Sequence, residues 1–353
     1  MGGPRSATQT APRAILCGPD GTSACHHSLD CRRHTSYAQV RCFDPVRLAG
    51  GAAAAASLDA AAVNEAKWRD TKQAEGTIDP AIVKAQVLLG RARYSPGEID
   101  GKLGENVRKA ISAFAAAQRI GASDGLNAEV WQKLTAGSDK PVLKQHTLSE
   151  ADLRGPFAEK IPAKMEDMRD LPALAYRNAR EKIAEKFHIS PELLQALNPG
   201  HGFDKAGVAI VVPDLAEPKL AGKAARIEVD KTAQTLKAFD KQGKLLAFYP
   251  VTVGSAEKPA PSGPLKVTGV SRNPTYRYNP DYAFKGVKSK EPFTIKPGPN
   301  SPVGTVWIGL SAGLFLYRPA FFETDFGQFT SISSTSKISV AFGGMAPPAP
   351  CAP

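Results

Sequence analysis

The spacing of apolar residues changes once along this chain, and that change limits what it can fold into. Through residues 78–137 and again through 176–213 apolar side chains recur at helical spacing, whereas from Arg226 they alternate, in RIEVD, TLKAF and LLAFYPVTVG. The turn DKQG joins the last two of these into a hairpin and opens a β-rich region. With 353 residues and 42% hydrophobic content the chain can bury more than one core. The pattern predicts a multidomain α+β protein, helical in its first half and strand-built after residue 226.

Within the first helical stretch, Asp79 can cap and Pro80 can start a helix on which Val83 and Val87 share a face. The loop SPGEIDGKLG, Ser95 to Gly104, leads to a second helix with Val107, Ile111, Phe114 and Gln118 at helical spacing. Asn127 caps a third short helix whose buried side is Val130, Trp131 and Leu134. Residues 138–172 are polar and Pro-containing with no clear period, and read as a linker. Beyond them Ile183, Ala184 and Phe187 mark one helix. Ser190-Pro191-Glu192 opens another, with Leu193, Leu194 and Leu197 facing inward, and Asn198-Pro199-Gly200 stops it before a strand at Val208 to Val212. His188 and His201 read as ordinary surface or packing residues.

The ends differ in composition from the body. Cys17, Cys25, Cys31 and Cys42 precede residue 50 and Cys351 lies near the last residue, so the body between them is free of Cys, which fits an oxidising compartment. The Cys and His spacings of the first fifty residues match no regular zinc knuckle, and no metal or cofactor is expected. Ala52 to Ala56 is similar to the end of a secretory signal; the alternative is an Ala-rich linker. Residues 1–62 therefore read as a disordered or misassigned N-terminus with a signal-peptide remnant. A net charge of +11 suits an anionic partner such as nucleic acid, a membrane surface or a carboxylate-bearing cell wall. The basic residues are scattered, however, and only TYRYNPDYAFKGVKSK approaches the basic–aromatic interleaving of a nucleic-acid binder, so no nucleic-acid partner is expected. No apolar run is long enough to be a transmembrane segment, and the oligomeric state is left open.

Three groups of residues carry resemblances. Ile99-Asp100-Gly101 and Gly104 between the first two helices, with Asp124-Gly125 before the third, resemble the peptidoglycan-binding domain, here over residues 63–137; a generic helical bundle is the alternative. Two short helices followed by a strand ending at Pro213 resemble a LysM module, a small βααβ binder of N-acetylglucosamine-containing glycans. Its first strand would have to be Ala173 to Tyr176, which sets the module at 173–216. Val251 to Gly254, Pro261-Ser262-Gly263-Pro264-Leu265, and Pro297 to Gly304 leading into Trp307-Ile308-Gly309-Leu310 resemble the L,D-transpeptidase catalytic domain, over residues 226–311.

The last resemblance implies a β-sandwich-like domain that cuts and rejoins peptidoglycan stem peptides. In that family a Cys thiolate attacks the donor carbonyl and D-alanine leaves; the amine of an acceptor stem then takes the acyl group from the thioester. A His deprotonates the thiol, and backbone N–H groups hold the oxyanion. The family carries these groups in one block after the WIGL strand, a His-Gly pair and then Ser-His-Gly-Cys followed by an Arg. Here no His follows His201, and the one later Cys is Cys351, in a Pro-rich stretch with neither His nor Arg beside it. No catalytic residue is therefore assigned, and residues 312–353 read as an unrelated low-complexity tail, an abrupt change that fits a shift in reading frame near codon 312. Its pieces GLFLY and KISVAF are strand-like and could pair in part. The missing block is expected to leave Val306 to Leu310 as an open apolar edge. The resemblance would place Tyr276, Tyr278 and Tyr282 near the substrate cleft, with core packing as the alternative. It implies a peptidoglycan-binding transferase of cell-wall biogenesis and cell shape, periplasmic or secreted and wall-associated, inactive as written; the alternative is a non-enzymatic wall-binding protein.

Overall fold

The computed structural model describes residues 58–70, 76–121, 125–215, 222, 224–252, 262–282, 286–311 and 315–318, with backbone alone at Tyr282 and at 315–318. The N-terminal Cys group, Ala52 to Ala56, Asp124, Gly254, Pro261, KISVAF and Cys351 lie outside these residues.

Most helices of the first half begin at a residue whose side chain gives the orphan amides of the first turn an acceptor. In α1 (Ala60–Asn64) the Asp59 carboxylate accepts from the Ala62 amide. In α2 (Pro80–Arg91) Asp79 accepts from Ala81 and Ile82, and Pro80 occupies the position that has no amide to satisfy. After α3 (Glu105–Ala117), Asn127 caps α4 (Ala128–Thr135). Val83, Val87, Ile111, Phe114, Val130 and Leu134 bury together. Trp131 is half-buried rather than buried, with the Lys84 ammonium 5.7 Å from its ring, and Gln118 is exposed as the C-cap of α3. The loop between α2 and α3 hangs on Gln86, which is fully buried: its amide nitrogen donates to Asp100 and its oxygen accepts from the Gly101 amide, both at 2.8 Å. Gly101 has φ +74°, and a Cβ there would lie 2.8 Å from Ile78 Cγ2, so the position requires glycine.

A second unit follows, made of β1 (Leu143–Thr147), α5 (Glu150–Leu153), α6 (Met165–Met168), α7 (Ala179–Lys186), α8 (Pro191–Leu197) and β2 (Ala209–Pro213). β1 and β2 pair antiparallel, Leu143 opposite Pro213 and Thr147 opposite Ala209. This corrects the sequence reading in one respect. The strand that partners β2 lies inside the stretch read as a linker, and Ala173 to Tyr176 forms no strand. The backbone of those residues is committed elsewhere: the Leu174 amide donates to the Pro297 carbonyl, and the Leu174 and Tyr176 carbonyls accept from Asn300 and Ala158.

The strand-built half contains β3 (Arg226–Asp230), β4 (Thr235–Phe239), β5 (Leu245–Pro250), β6 (Val267–Arg272), β7 (Tyr276–Tyr278), β8 (Phe293–Ile295), β9 (Val306–Leu310) and β10 (Phe315–Arg318). β3, β4 and β5 form an antiparallel sheet in that order, and Asp240 accepts the Gln242 and Lys244 amides in the turn before β5. β9 is the middle strand of a second sheet, between β6 and β10, and among the described residues β7 pairs with β8 alone. The expected open edge at Val306 to Leu310 is thus not present. Phe315 to Tyr317 of GLFLY, with Arg318 after them, take it up, Phe315 opposite Gly309 and Arg318 opposite Val306. The chain is therefore a mixed α/β protein, with helices in its N-terminal half and small sheets in its C-terminal half.

These parts are joined by backbone as well as by side chains. The Phe248 amide donates to the Arg93 carbonyl and its carbonyl accepts from Ser95, so the α2–α3 loop runs along β5, and Phe248 buries in the helical core. Ile99 likewise exchanges hydrogen bonds with His188 and Ser190.

Candidate functional site

The residues that resemblance places near a substrate cleft sit on the β7–β8 pair. Tyr276 faces Ile295, Arg277 faces Thr294 and Tyr278 faces Phe293 across it. Period-two alternation sends Tyr276 and Tyr278 inward, each 1% exposed, and Arg277 and Thr294 outward. The Tyr278 and Phe293 rings stack with centroids 4.7 Å apart. Both tyrosines join Ile295, Val303, Trp307 and Leu174 in one buried cluster, so packing is the role their burial displays. The Tyr282 side chain lies outside the described residues.

Behind this cluster, the turn from Pro297 to Gly304 feeds β9. Asn300 holds it, its backbone amide donating to the Leu174 carbonyl at 2.9 Å and its side-chain amide to Ala175 at 2.8 Å. Leu174 is fully buried although it belongs to the segment between α6 and α7. On α6, just before that segment, Glu166 accepts the backbone amides of Lys288 and Ser289. The Lys288 amide above all, with further backbone amides and Lys164 nearby, holds the Glu166 carboxyl below its ordinary value.

A second polar centre closes the unit that runs from β1 to β2. Asp152, 4% exposed, accepts from the Ser149 amide and hydroxyl, faces His146 Nε2 at 2.9 Å and takes the Lys186 ammonium at 2.5 Å. Burial alone would raise this carboxyl. Lys186, the Ser149 amide, His146 and the Ser149 hydroxyl outweigh it and hold the value far below the ordinary carboxylate range. Ser, His and Asp meet here, but the Ser149 hydroxyl donates to the carboxylate and not to the imidazole. The group is therefore a capping box with an added ion pair, without a base aimed at a nucleophile.

Sequence reasoning did not find this centre, although Ser149 and Asp152 carry the spacing of a helix start. Among the described residues no set of three or more His, Cys, Asp or Glu is arranged to hold a metal ion, and none of the described residues is a Cys. Ser311, the last residue before the tail that would have to supply chemical groups, bonds the Lys266 backbone through its amide and hydroxyl.

Residues 224–326 match the family model of the L,D-transpeptidase catalytic domain, YkuD. The match begins just before β3, takes in every strand from β3 to β10 and extends past Ser311. It supports membership of the L,D-transpeptidase family, whose members act on peptidoglycan. No curated protein matches the chain. No helix among the described residues is long and apolar enough to cross a membrane.

Proposed function

We propose that this protein binds peptidoglycan through its helical half and carries an L,D-transpeptidase fold that, as this sequence is written, transfers no acyl group. The match of residues 224–326 carries the reading. Three further features support it: the α2–α3 loop built around Asp100 and Gly101, the β1–α7–α8–β2 arrangement of the LysM-like unit, and a net charge of +11 toward a carboxylate-bearing polymer. With β1 as its first strand, the LysM-like unit spans residues 143–213 and includes a long insertion between β1 and α7. Wall association implies a periplasmic or secreted location. Acyl transfer needs a thiolate, a base and oxyanion donors close together. No His follows His201 and the one Cys beyond residue 50 is Cys351, which favours a non-catalytic wall-binding role.

The full-length chain should co-sediment with isolated sacculi and remain bound as salt is raised through the range that screens surface charge. Protein left in the supernatant, or binding lost to salt alone, would reduce the reading to nonspecific attraction between a cation and a polyanion.

A further inference from the structure

The β7–β8 pair belongs to neither three-stranded sheet. A lone two-stranded pair is marginal in water unless something covers its apolar face. Part of the cover comes from the insertion of the helical half. Leu174 is fully buried among Tyr276, Tyr278 and Trp307, and Met165, Met168 and Leu171 pack against the same cluster. The insertion also holds the loop that joins β7 to β8, where the Glu166 side chain accepts the Lys288 and Ser289 amides. Its base is closed by the Ala158 amide, which donates to the Tyr176 carbonyl at 2.8 Å, and is tied to the helical side by Lys182 of α7, which donates to the Ala151 and Arg154 carbonyls.

We propose that residues 154–177 are a strap by which the wall-binding half sets the position of the tyrosine hairpin. Movement of the hairpin then requires release of Glu166 and Leu174, and the hairpin is not governed by the transpeptidase domain alone. A close approach supports this. Gly298 touches the strap backbone so tightly that a Cβ there would lie 2.2 Å from the Leu174 carbonyl oxygen. The site admits glycine alone because the strap is seated against it. The proposal rests on the transpeptidase reading only in treating the hairpin as a wall of the substrate cleft.

Hydrogen exchange on the full-length chain tests it without any substrate. Glu166→Ala should speed exchange of the Lys288 and Ser289 amides about tenfold, the order expected on losing charge-assisted bonds, and leave β3–β5 unchanged. Gly298→Ala, which wedges the strap away, should extend the faster exchange to Tyr276–Tyr278 and Phe293–Ile295. Hairpin exchange unchanged in both variants overturns the strap. If Gly298→Ala loosens the whole molecule, Glu166→Ala decides alone. Failure here leaves sacculus binding untouched, and failure of sacculus binding leaves the strap standing.

Discussion

Replacing Asp152 by Asn keeps the shape of the side chain and removes its charge. In the native protein the carboxylate takes four donors, from Ser149 twice, His146 and Lys186, and it joins β1 and α5 to α7. Losing partners of a buried charge costs about 3–5 kcal/mol when the pair is fully enclosed. Here the Lys186 side chain is 45% exposed, so its share is nearer the ~1 kcal/mol of a surface pair. Asn retains an acceptor for the Ser149 amide, which preserves part of the cap. The loss at neutral pH should therefore be about 2–3 kcal/mol. The sign with pH follows from the depressed carboxyl. Its stabilisation is fully present above the unfolded value of about 3.9 and drains away as pH falls toward the lower folded value. Urea unfolding of wild type and Asp152→Asn, followed by far-ultraviolet dichroism and Trp fluorescence, should show curves well separated at pH 7 that converge below about pH 4. A difference under about 0.5 kcal/mol at pH 7, or one that stays constant down to about pH 2, would refute the assignment of this carboxylate as the charged clasp of the unit.

Two further outcomes follow from other parts of the chain. Asn198→Ala removes a side chain that bonds the Leu194 carbonyl and both backbone groups of Val211; it should cost about 2–3 kcal/mol in the same assay and loosen β2, and a change within about 0.5 kcal/mol would contradict it. Incubation with a carbapenem, an acylating agent for the catalytic thiolate of the family, should leave the intact mass unchanged, whereas a stoichiometric adduct mapped to Cys351 would overturn the non-catalytic reading.

Local rules carried the helical half. Asp79, Asn127 and Ser190 each stand where an orphan amide requires an acceptor, and each accepts one. Strand β1 was hidden because among the described residues it pairs on one side only and it buries Leu143 with no alternation behind it, so LKQHT shows no period. The insertion was hidden for a different reason. Its Met and Leu residues pack against Trp307 and Tyr276, more than a hundred positions away, and a segment whose partners are that remote has no local periodicity to display. The YRY and FTI strands are too short for alternation to distinguish them from loop, and the same inward alternation that makes them a pair buries the two tyrosines.

β9 shows how the strand-built half is organised around one segment that was legible. All five of its residues are buried, as suits a strand with neighbours on both edges and cores on both faces. Val306, Ile308 and Leu310 turn to the cluster shared with β3–β5, and Trp307 turns to the cluster shared with the tyrosine hairpin and Leu174. One period-two strand thus divides two cores, and a one-residue slip would exchange them. The β6 and β10 pairings guard against that slip, because each fixes register from a different edge. The strap bears on only one of these cores, through Trp307. Releasing it should therefore soften the hairpin side of β9 while Val306, Ile308 and Leu310 remain anchored, which is why exchange confined to the hairpin, and not a general loosening, is the signature that separates a positioning strap from ordinary core packing.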